Sequence, residues 1–399
     1  MKVLVLNAGS SSMKFTLFSM GKEQVLAKGL VERLGSDKPN LIYKRADGYK
    51  VEEQIKATNA VEALQDICAK LTDKSYGVIS DMSEIQAFGH RVVHGGEKVT
   101  APVLVDEDIK KVIQDCILLA PLHNPANLAG IEACEKNFAG VPNVAVFDTA
   151  FHQTMPAEAF LYAIPYELYK EHGIRKYGFH GTSHHYVMNA AADFLGKEAK
   201  DLKIITCHLG NGCSMAAIEN GKVVDTTMGL TPLEGLMMGT RSGDLDPAVV
   251  LTLGSLGKSG KEIDKILNKE SGLWGVSGLN TFDMRDITAA EKDGHERATL
   301  ARKMFTRRVV KYIGSYYAVL GGADVIVFTG GIGEYGNYIR EKVCEALGAF
   351  GVELDKEANN EMFGKAGFIS TENSKIKLLV MPTDEELMIA RSVLNLVKK

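Results

Sequence analysis

The feature that most constrains this chain is a weak internal repeat. Val3-Leu-Val-Leu-Asn-Ala-Gly-Ser-Ser-Ser-Met13 resembles Ile205-Thr-Cys-His-Leu-Gly-Asn-Gly-Cys-Ser-Met215, 202 residues further on. Each copy reads as an apolar strand, a tight turn of small and polar residues, and a second strand, Lys14 to Phe18 in the first and Met215 to Ile218 in the second. The turn of such a hairpin offers backbone N–H groups to an anion. A length of 399 residues exceeds one ordinary core. The repeat therefore points to a duplicated domain with a nucleotide between the halves, a preferred place for ligands. Two unrelated hairpins are the alternative that the repeat alone leaves open.

Short buried strands are expected at Lys2 to Leu6, Asn143 to Phe147, Lys203 to Cys207, Asp324 to Phe328 and Ile376 to Met381. Helical periodicity covers Asp286 to Leu320 and Glu385 to Val397, the latter with Thr383 three residues before Glu386 as a capping pair. The class is α/β. The 46 basic and 50 acidic residues include no long Lys/Arg run, so no nucleic-acid partner is expected. The opening MKVLVLNAGSSS has too short an apolar run for a signal peptide or membrane span, which leads us to expect a cytoplasmic protein with no membrane partner. The six cysteines lack a C-x-x-C pair and read as reduced packing residues.

Two nucleotide signatures can be tested directly. Gly257-Lys258-Ser259 lacks the earlier glycine of a P-loop, Thr252 standing in its place. Gly331-Ile-Gly-Glu-Tyr-Gly336 satisfies G-x-G-x-x-G, but too little chain follows it for a dinucleotide fold, and the same turn suits a mononucleotide. Asn7, Ser10, Ser12 and Lys14 crowd the first hairpin turn, supplying a ligand for a metal-bound water, hydroxyls and a cation near a triphosphate; an exposed hairpin would look similar. His208-Leu209-Gly210-Asn211-Gly212 is the partner loop. Arg91, in an apolar glycine-bounded stretch, needs an anion, either a ligand or an internal carboxylate. Arg241 lies in a long glycine-studded loop from Gly229 to Pro247, the kind of loop that is usually functional. Asp148 ends a strand, where α/β folds gather catalytic groups, though an N-cap has the same position. His180 and His184 have zinc-like spacing but lack the intervening Glu and a third ligand. Glu385, at the start of the last helix, can reach a metal-water shell.

Taken in order, Asn7-Ala-Gly-Ser-Ser-Ser, His90-Arg-Val-Val-His-Gly-Gly96, Phe147-Asp-Thr-Ala-Phe-His152, Gly178-Phe-His-Gly-Thr-Ser-His184, His208-Leu-Gly-Asn-Gly212, the Gly229 to Pro247 loop and Pro382-Thr-Asp-Glu-Glu386 resemble the acetate kinase family of the sugar-kinase, Hsp70 and actin superfamily. The resemblance runs over essentially the whole chain. It implies two duplicated ribonuclease H-like (actin-like ATPase) domains with the active site in the cleft between them: residues 1–149 completed by 386–399, and residues 150–385. It implies reversible transfer of the γ-phosphoryl group of ATP to acetate, giving acetyl phosphate and ADP, with Mg2+ or Mn2+, in a homodimer. By residue, it implies Asn7 and Glu385 for the metal and Asp148 as the active-site carboxylate, with His180 and Arg241 at the transition state and Arg91 on the substrate. Val93, Leu122, Phe179 and Pro232 would form the methyl pocket. Lys14, Ser10, Ser12, residues 208–212, Asp283, Met284, Arg285, Gly331, Ile332, Gly333, Glu334 and Tyr335 would serve ATP. Tyr335 departs from the Asn usual in the family. A propionate or other short-chain acyl kinase is the nearest alternative; an NAD-linked oxidoreductase and a nucleotide-driven switch are the distant ones. A small carboxylate is already ionised at pH 7 and needs no base, so Asp148 is expected to orient the metal-water shell or Arg91 rather than to accept a proton.

Overall fold

The first copy of the repeat folds as β1 (Lys2–Gly9) and β2 (Ser12–Ser19), antiparallel and in register from Lys2 opposite Ser19 to Gly9 opposite Ser12. The second folds as β9 (Lys203–Leu209) and β10 (Cys213–Glu219), with Lys203 opposite Glu219 and Leu209 opposite Cys213. A computed structural model describes residues 1–398, and the chain divides into two compact units: Met1–Phe151 with Asp384–Lys399, and His152–Thr383. Lys399 itself lies outside the described residues.

In the first unit the hairpin continues into β3 (Gln24–Glu32), β4 (Asn40–Arg45) and β5 (Lys50–Gln54) on one side. On the other side lie β6 (Ala87–Val92), β8 (Asn143–Phe147) and β7 (Val103–Leu104), giving the order β5-β4-β3-β2-β1-β6-β8-β7. In the second unit β11 (Lys222–Thr226) extends the hairpin, and β12 (Val325–Thr329), β14 (Lys377–Val380) and β13 (Gly367–Phe368) follow, in the order β11-β10-β9-β12-β14-β13. Each sheet thus holds the same five strands: three antiparallel (β3-β2-β1; β11-β10-β9), then two parallel to the first (β6-β8; β12-β14). This is the duplicated ribonuclease H-like α/β architecture.

The central strands read as continuous apolar runs because helices cover both faces of the sheet. In the first unit Leu4, Leu6, Phe15 and Leu17 pack with Leu64 and Ile67 of the helix Ala60–Leu71 and with Ala133 of the helix Asn124–Asn137. Val3, Val5 and Phe18 face Ile389, Ala390 and Val393 of the helix Glu385–Val397. Each fully buried aliphatic side chain contributes about 1.5–3 kcal/mol. That last helix lies close over β6 only because residue 89 is glycine: a Cβ there would stand 2.7 Å from Ile389 Cγ2. Strand alternation puts Gly89 and Arg91 on the same face of β6, so the approach also brings the start of the helix toward Arg91.

Two expectations need correction. The periodic stretch from Asp286 to Leu320 is two helices, Met284–Lys292 and Glu296–Val319. Gly294 takes φ +85° and ends the first, and His295 caps the second by accepting from Ala298 N. The last helix is capped by Asp384, whose carboxylate accepts from Leu387 N at 2.8 Å, rather than by Thr383 with Glu386. Glu386 is turned instead to Lys14. Among the described residues all six cysteines are free, and no helix is long and apolar enough to cross a membrane.

Candidate active site

In the first unit Asn7 on β1 stands opposite Lys14 on β2, and the turn between them leaves Ser10 exposed. Lys14 Nζ lies 2.6 Å from Glu386 Oε1. Arg91, near the end of β6, meets the carboxylate that follows β8 in a two-pronged pair: Nε to Asp148 Oδ1 at 3.0 Å and Nη2 to Oδ2 at 2.6 Å. Asp148 is 1% exposed, so the pair is drawn out of water at its acidic end. Burial opposes the charge on Arg91, but Asp148 and Glu385 outweigh it and push the guanidinium pKa up. Glu385 Oε2 lies 3.9 Å from Arg91 Nε. Burial, opposed by Arg91 and reinforced by Asp148 and Glu386, pushes its carboxyl up to about 7. Val93 follows β6 and is buried, whereas Leu122 is 60% exposed.

In the second unit the turn Gly210–Gly212 has His180 and Arg241 on one side and a cavity on the other. His180 precedes the helix Gly181–Leu195 with φ +57°, a left-handed conformation that a non-glycine residue holds only where its surroundings enforce it. Its ring stacks on His208 with centroids 4.3 Å apart, and Nδ1 lies 2.8 Å from Ser214 Oγ. A Cβ on Gly212 would stand 3.4 Å from His180 Nε2 and 3.5 Å from Arg241 Nη1, so both groups border the turn. Arg241 Nη1 donates to Pro232 O at 3.1 Å and approaches Met238 Sδ at 3.7 Å. It has no carboxylate partner among the described residues, and burial holds its pKa below the usual value.

A cavity of about 510 Å³ lies beyond the turn. Gly210 and Asn211 meet Asp283, Met284 and Arg285 from one helix start and Gly331, Ile332 and Tyr335 from the short helix Gly330–Tyr335. Asp283 caps its own helix by accepting from Arg285 N at 2.8 Å and also binds the Arg285 guanidinium. Two half-exposed aromatics, Tyr335 and Phe282, share the lining. Glu334, one residue before Tyr335, turns away from the cavity: its Oε1 accepts from Gly330 N at 3.0 Å and Thr383 N at 3.2 Å, fastening the turn after β12. Burial raises its pKa against these bonds. Leu209 and Gly333 are backbone positions flanking that turn, and Phe179 O accepts from His152 Nε2 at 2.9 Å.

Several supporting residues gave no signal in the sequence. Asn127, 2% exposed, donates from Nδ2 to Ala8 O at 2.7 Å and accepts from Val93 N at 3.0 Å, tying the first hairpin to the end of β6. Asn124 closes a similar pair of bonds with His94, at 3.1 and 3.0 Å. A lone Asn at a helix start is read as a cap, and only the fold reveals that both face inward.

A model of the Acetokinase family matches residues 2–391. The acetate kinase of Clostridium novyi is 53% identical, the match covering 100% of this chain and 99% of that protein. Among solved structures, the acetate kinase of Porphyromonas gingivalis superposes with a TM-score of 0.95 at 48% identity over 99% of both chains. A propionate kinase from Francisella tularensis does so with 0.91 at 42% identity over 98% of both.

Proposed function

The chain belongs to the acetokinase family, and on that premise we propose that it transfers the γ-phosphoryl group of ATP to acetate, reversibly, yielding acetyl phosphate and ADP. The observation that carries this is the turn Gly210–Gly212, which borders the nucleotide-sized cavity on one side and two anion-seeking groups, His180 and Arg241, on the other. Adenine and ribose enter the cavity, and the triphosphate runs along the turn toward Arg241. Acetate, already ionised, is held by Arg91, itself fixed by Asp148. An acetate oxygen forms the new P–O bond in line as the bond from the γ-phosphorus to the ADP oxygen breaks. Arg91, Arg241 and His180 neutralise the charge that develops, so catalysis is by positioning and electrostatics. We assign Val93, Leu122, Phe179 and Pro232 to the methyl group on the family resemblance.

A divalent cation fits the chemistry of the first unit. Asp148 and Glu385 share the positive charge of one guanidinium, and burial, reinforced by Asp148, pushes Glu385 up to about 7. Among the described residues no group of three His, Cys, Asp or Glu side chains forms a metal cage. Mg2+ held by one or two protein oxygens, waters and substrate phosphates needs none. Asn7 and Glu385 would hold Mg2+, or Mn2+, through its waters. When bound, the ion supplies further neutralisation of phosphate charge. We extend the proposal to a homodimer, for which the exposed Val249, Val250, Leu251 and Leu256 are suited.

Propionate differs by one methylene, worth about 1–3 kcal/mol in an apolar pocket, so some turnover is expected. Hydroxamate trapping of acyl phosphate from ATP and Mg2+ with acetate, propionate, butyrate or no acid tests the proposal. Product with acetate that declines at propionate and disappears at butyrate supports it. Product that peaks at propionate makes this a propionate kinase, and no product with any acid ends the kinase reading.

A further inference from the structure

Behind His180, within the second unit, lies a chain of polar side chains that phosphotransfer does not by itself call for. His184, fully buried on the helix Gly181–Leu195, has Nδ1 2.7 Å from Thr206 Oγ1 on β9 and Nε2 2.8 Å from Ser214 Oγ on β10. Ser214 Oγ is in turn 2.8 Å from His180 Nδ1. Thr206 and Ser214 are themselves fully buried, so water does not substitute for these partners. A serine hydroxyl has one proton, and between two neutral imidazoles it donates to one and accepts from the other. Thr206 sets the direction. Its hydroxyl lies 3.4 Å from Ala216 O, an atom that can only accept; taken as donating there, it receives the N–H of His184 Nδ1 at 2.7 Å. His184 is then left with a lone pair on Nε2, which takes the Ser214 proton, and the Ser214 oxygen receives N–H from His180 Nδ1.

This polarity has a chemical consequence. An imidazolium donates from both nitrogens. It fits a site where Nδ1 already donates, whereas the reverse direction would present a hydroxyl proton to Nδ1 and exclude the cation. We infer that Ser214, backed by His184 and Thr206, is a positioning residue that keeps a proton on His180 Nδ1, so that His180 meets the transferring phosphoryl group as an imidazolium and takes up one proton from solvent to do so. The inference rests on the phosphotransfer reading above. The proton adds to Nε2, where the new N–H donates to a phosphoryl oxygen, and that N–H breaks as the proton returns to solvent with product; no other bond of His180 changes.

The titratable and charged groups around His180 agree with this. His208 stacks on its ring, and His184 reaches it through Ser214. His152 binds the carbonyl of Phe179, and Arg241 Nη1 borders Gly212 beside His180 Nε2. Burial keeps His184 neutral, its pKa far below the usual value, so it stays an acceptor for Ser214. The charge of Arg241 opposes an imidazolium until phosphate charge arrives and reverses the balance.

Nitrogen-15 NMR of histidine-labelled whole enzyme without substrates, with His180 identified by difference from His180→Gln, reads the tautomer directly and needs no variant of the relay itself. The expected neutral form has the proton on Nδ1; a neutral His180 protonated on Nε2 overturns the inference. In Ser214→Ala the proton should shift toward Nε2, and the alkaline limb of the kcat profile should move to lower pH, because the cation has lost its acceptor. We expect kcat in that variant to fall by about 10- to 100-fold with little change in KM for ATP or acetate, less than the roughly 10²–10³ that follows deletion of a transition-state donor. Active wild-type enzyme whose Ser214→Ala variant keeps the same kcat and pH profile overturns the inference alone. Wild-type enzyme that makes no acyl phosphate removes the phosphotransfer reading and this inference with it.

Discussion

The β1–β2 and β9–β10 turns occupy the same place in two sheets of the same order, yet the charges around them are arranged in opposite ways. Around the first, each cation has its own carboxylate: Lys14 has Glu386 and Arg91 has Asp148. Around the second, Arg241 has a carbonyl and a thioether, and its neighbours are histidines bonded to hydroxyls. A guanidinium withdrawn from water without a carboxylate is destabilising, and a site of that kind makes physical sense where an anion is brought in from outside. Duplication thus sets the backbone, while charge divides the labour. On the proposed reading, the protein gives the first arginine a carboxylate partner before acetate arrives and leaves the second to be neutralised by phosphate.

The largest effect should come from Arg241. We expect Arg241→Lys to lower kcat by about three to five powers of ten, because a compact ammonium cannot reproduce a planar two-pronged contact with a transferring phosphoryl group. Folding should not suffer, and thermal stability should hold or rise, since a half-buried charge without a carboxylate partner has been made easier to solvate. Near-normal kcat in single-turnover assays would remove Arg241 from the reaction and abolish the contrast.

The first unit should respond in the reverse sense. Asp148→Asn leaves Arg91 with only the more distant Glu385, 3.9 Å away, as counter-charge, and loss of one member of a buried pair costs about 3–5 kcal/mol. Because Arg91 is partly open to solvent, the lower end is expected in denaturant titrations. If Asp148→Asn is as stable as wild type, the pair is not what holds Arg91, and the two arginines are more alike than their surroundings suggest.

Acid tests both units together. His90 and His94 in the first unit are buried and His185 in the second is half-buried; burial pushes each down to about 4, and His184 lies lower still. In the unfolded chain these groups titrate near the ordinary value of about 6.5. A pKa lowered by folding means that the unfolded state binds more protons, so this stability is complete above about pH 6.5 and is lost as pH falls toward 4. The loss is at most about 2 kcal/mol per histidine by pH 5. Calorimetry should show the melting temperature falling steadily from pH 7 to pH 5. A flat profile would mean that these histidines take up protons as readily in the native state as in the unfolded chain.

The buried centre of each sheet was legible in the sequence: β1, β8, β9, β12 and β14 are short apolar runs between helical segments, and their ends fall within a few residues of expectation. Strands β3 to β5 were not, since β5 is almost wholly exposed and carries Lys50, Glu52 and Glu53. An edge strand has no buried face to impose a period. β6 was noticed for Arg91 and its glycines rather than as a strand. The cavity lining draws on three segments far apart in the chain, and no local period connects Gly210 with Asp283 and Gly331; only a family resemblance could name them together. Ser214 and Asn127 were illegible for another reason. Their partners, His184 and Ala8 O, become neighbours only when the sheets form. His184 drew attention only as a metal ligand, whereas its two nitrogens are taken by hydroxyls.

The smallest effect belongs to Lys14 and Glu386, and it bears most directly on whether the first unit holds two kinds of ion pair. Their contact is short, 2.6 Å, but the Lys14 side chain is 57% exposed. Burial alone would raise the Glu386 pKa; Lys14 outweighs it and leaves the carboxyl below its usual value. The stability this contributes is therefore present above the ordinary carboxylate range and lost as pH falls below it. Because water screens the pair, Glu386→Gln should cost only about 0.2–1 kcal/mol. The cost should shrink further in concentrated salt, where the screening length drops to about 3 Å. The deficit of Asp148→Asn, arising from a carboxylate that water does not reach, should persist at the same salt concentration. If Glu386→Gln proves as damaging as Asp148→Asn and as indifferent to salt, then Lys14 is fixed by its pair as firmly as Arg91. In that case the cations around the first turn are all preset by protein carboxylates, and only Arg241 at the second awaits a ligand's charge.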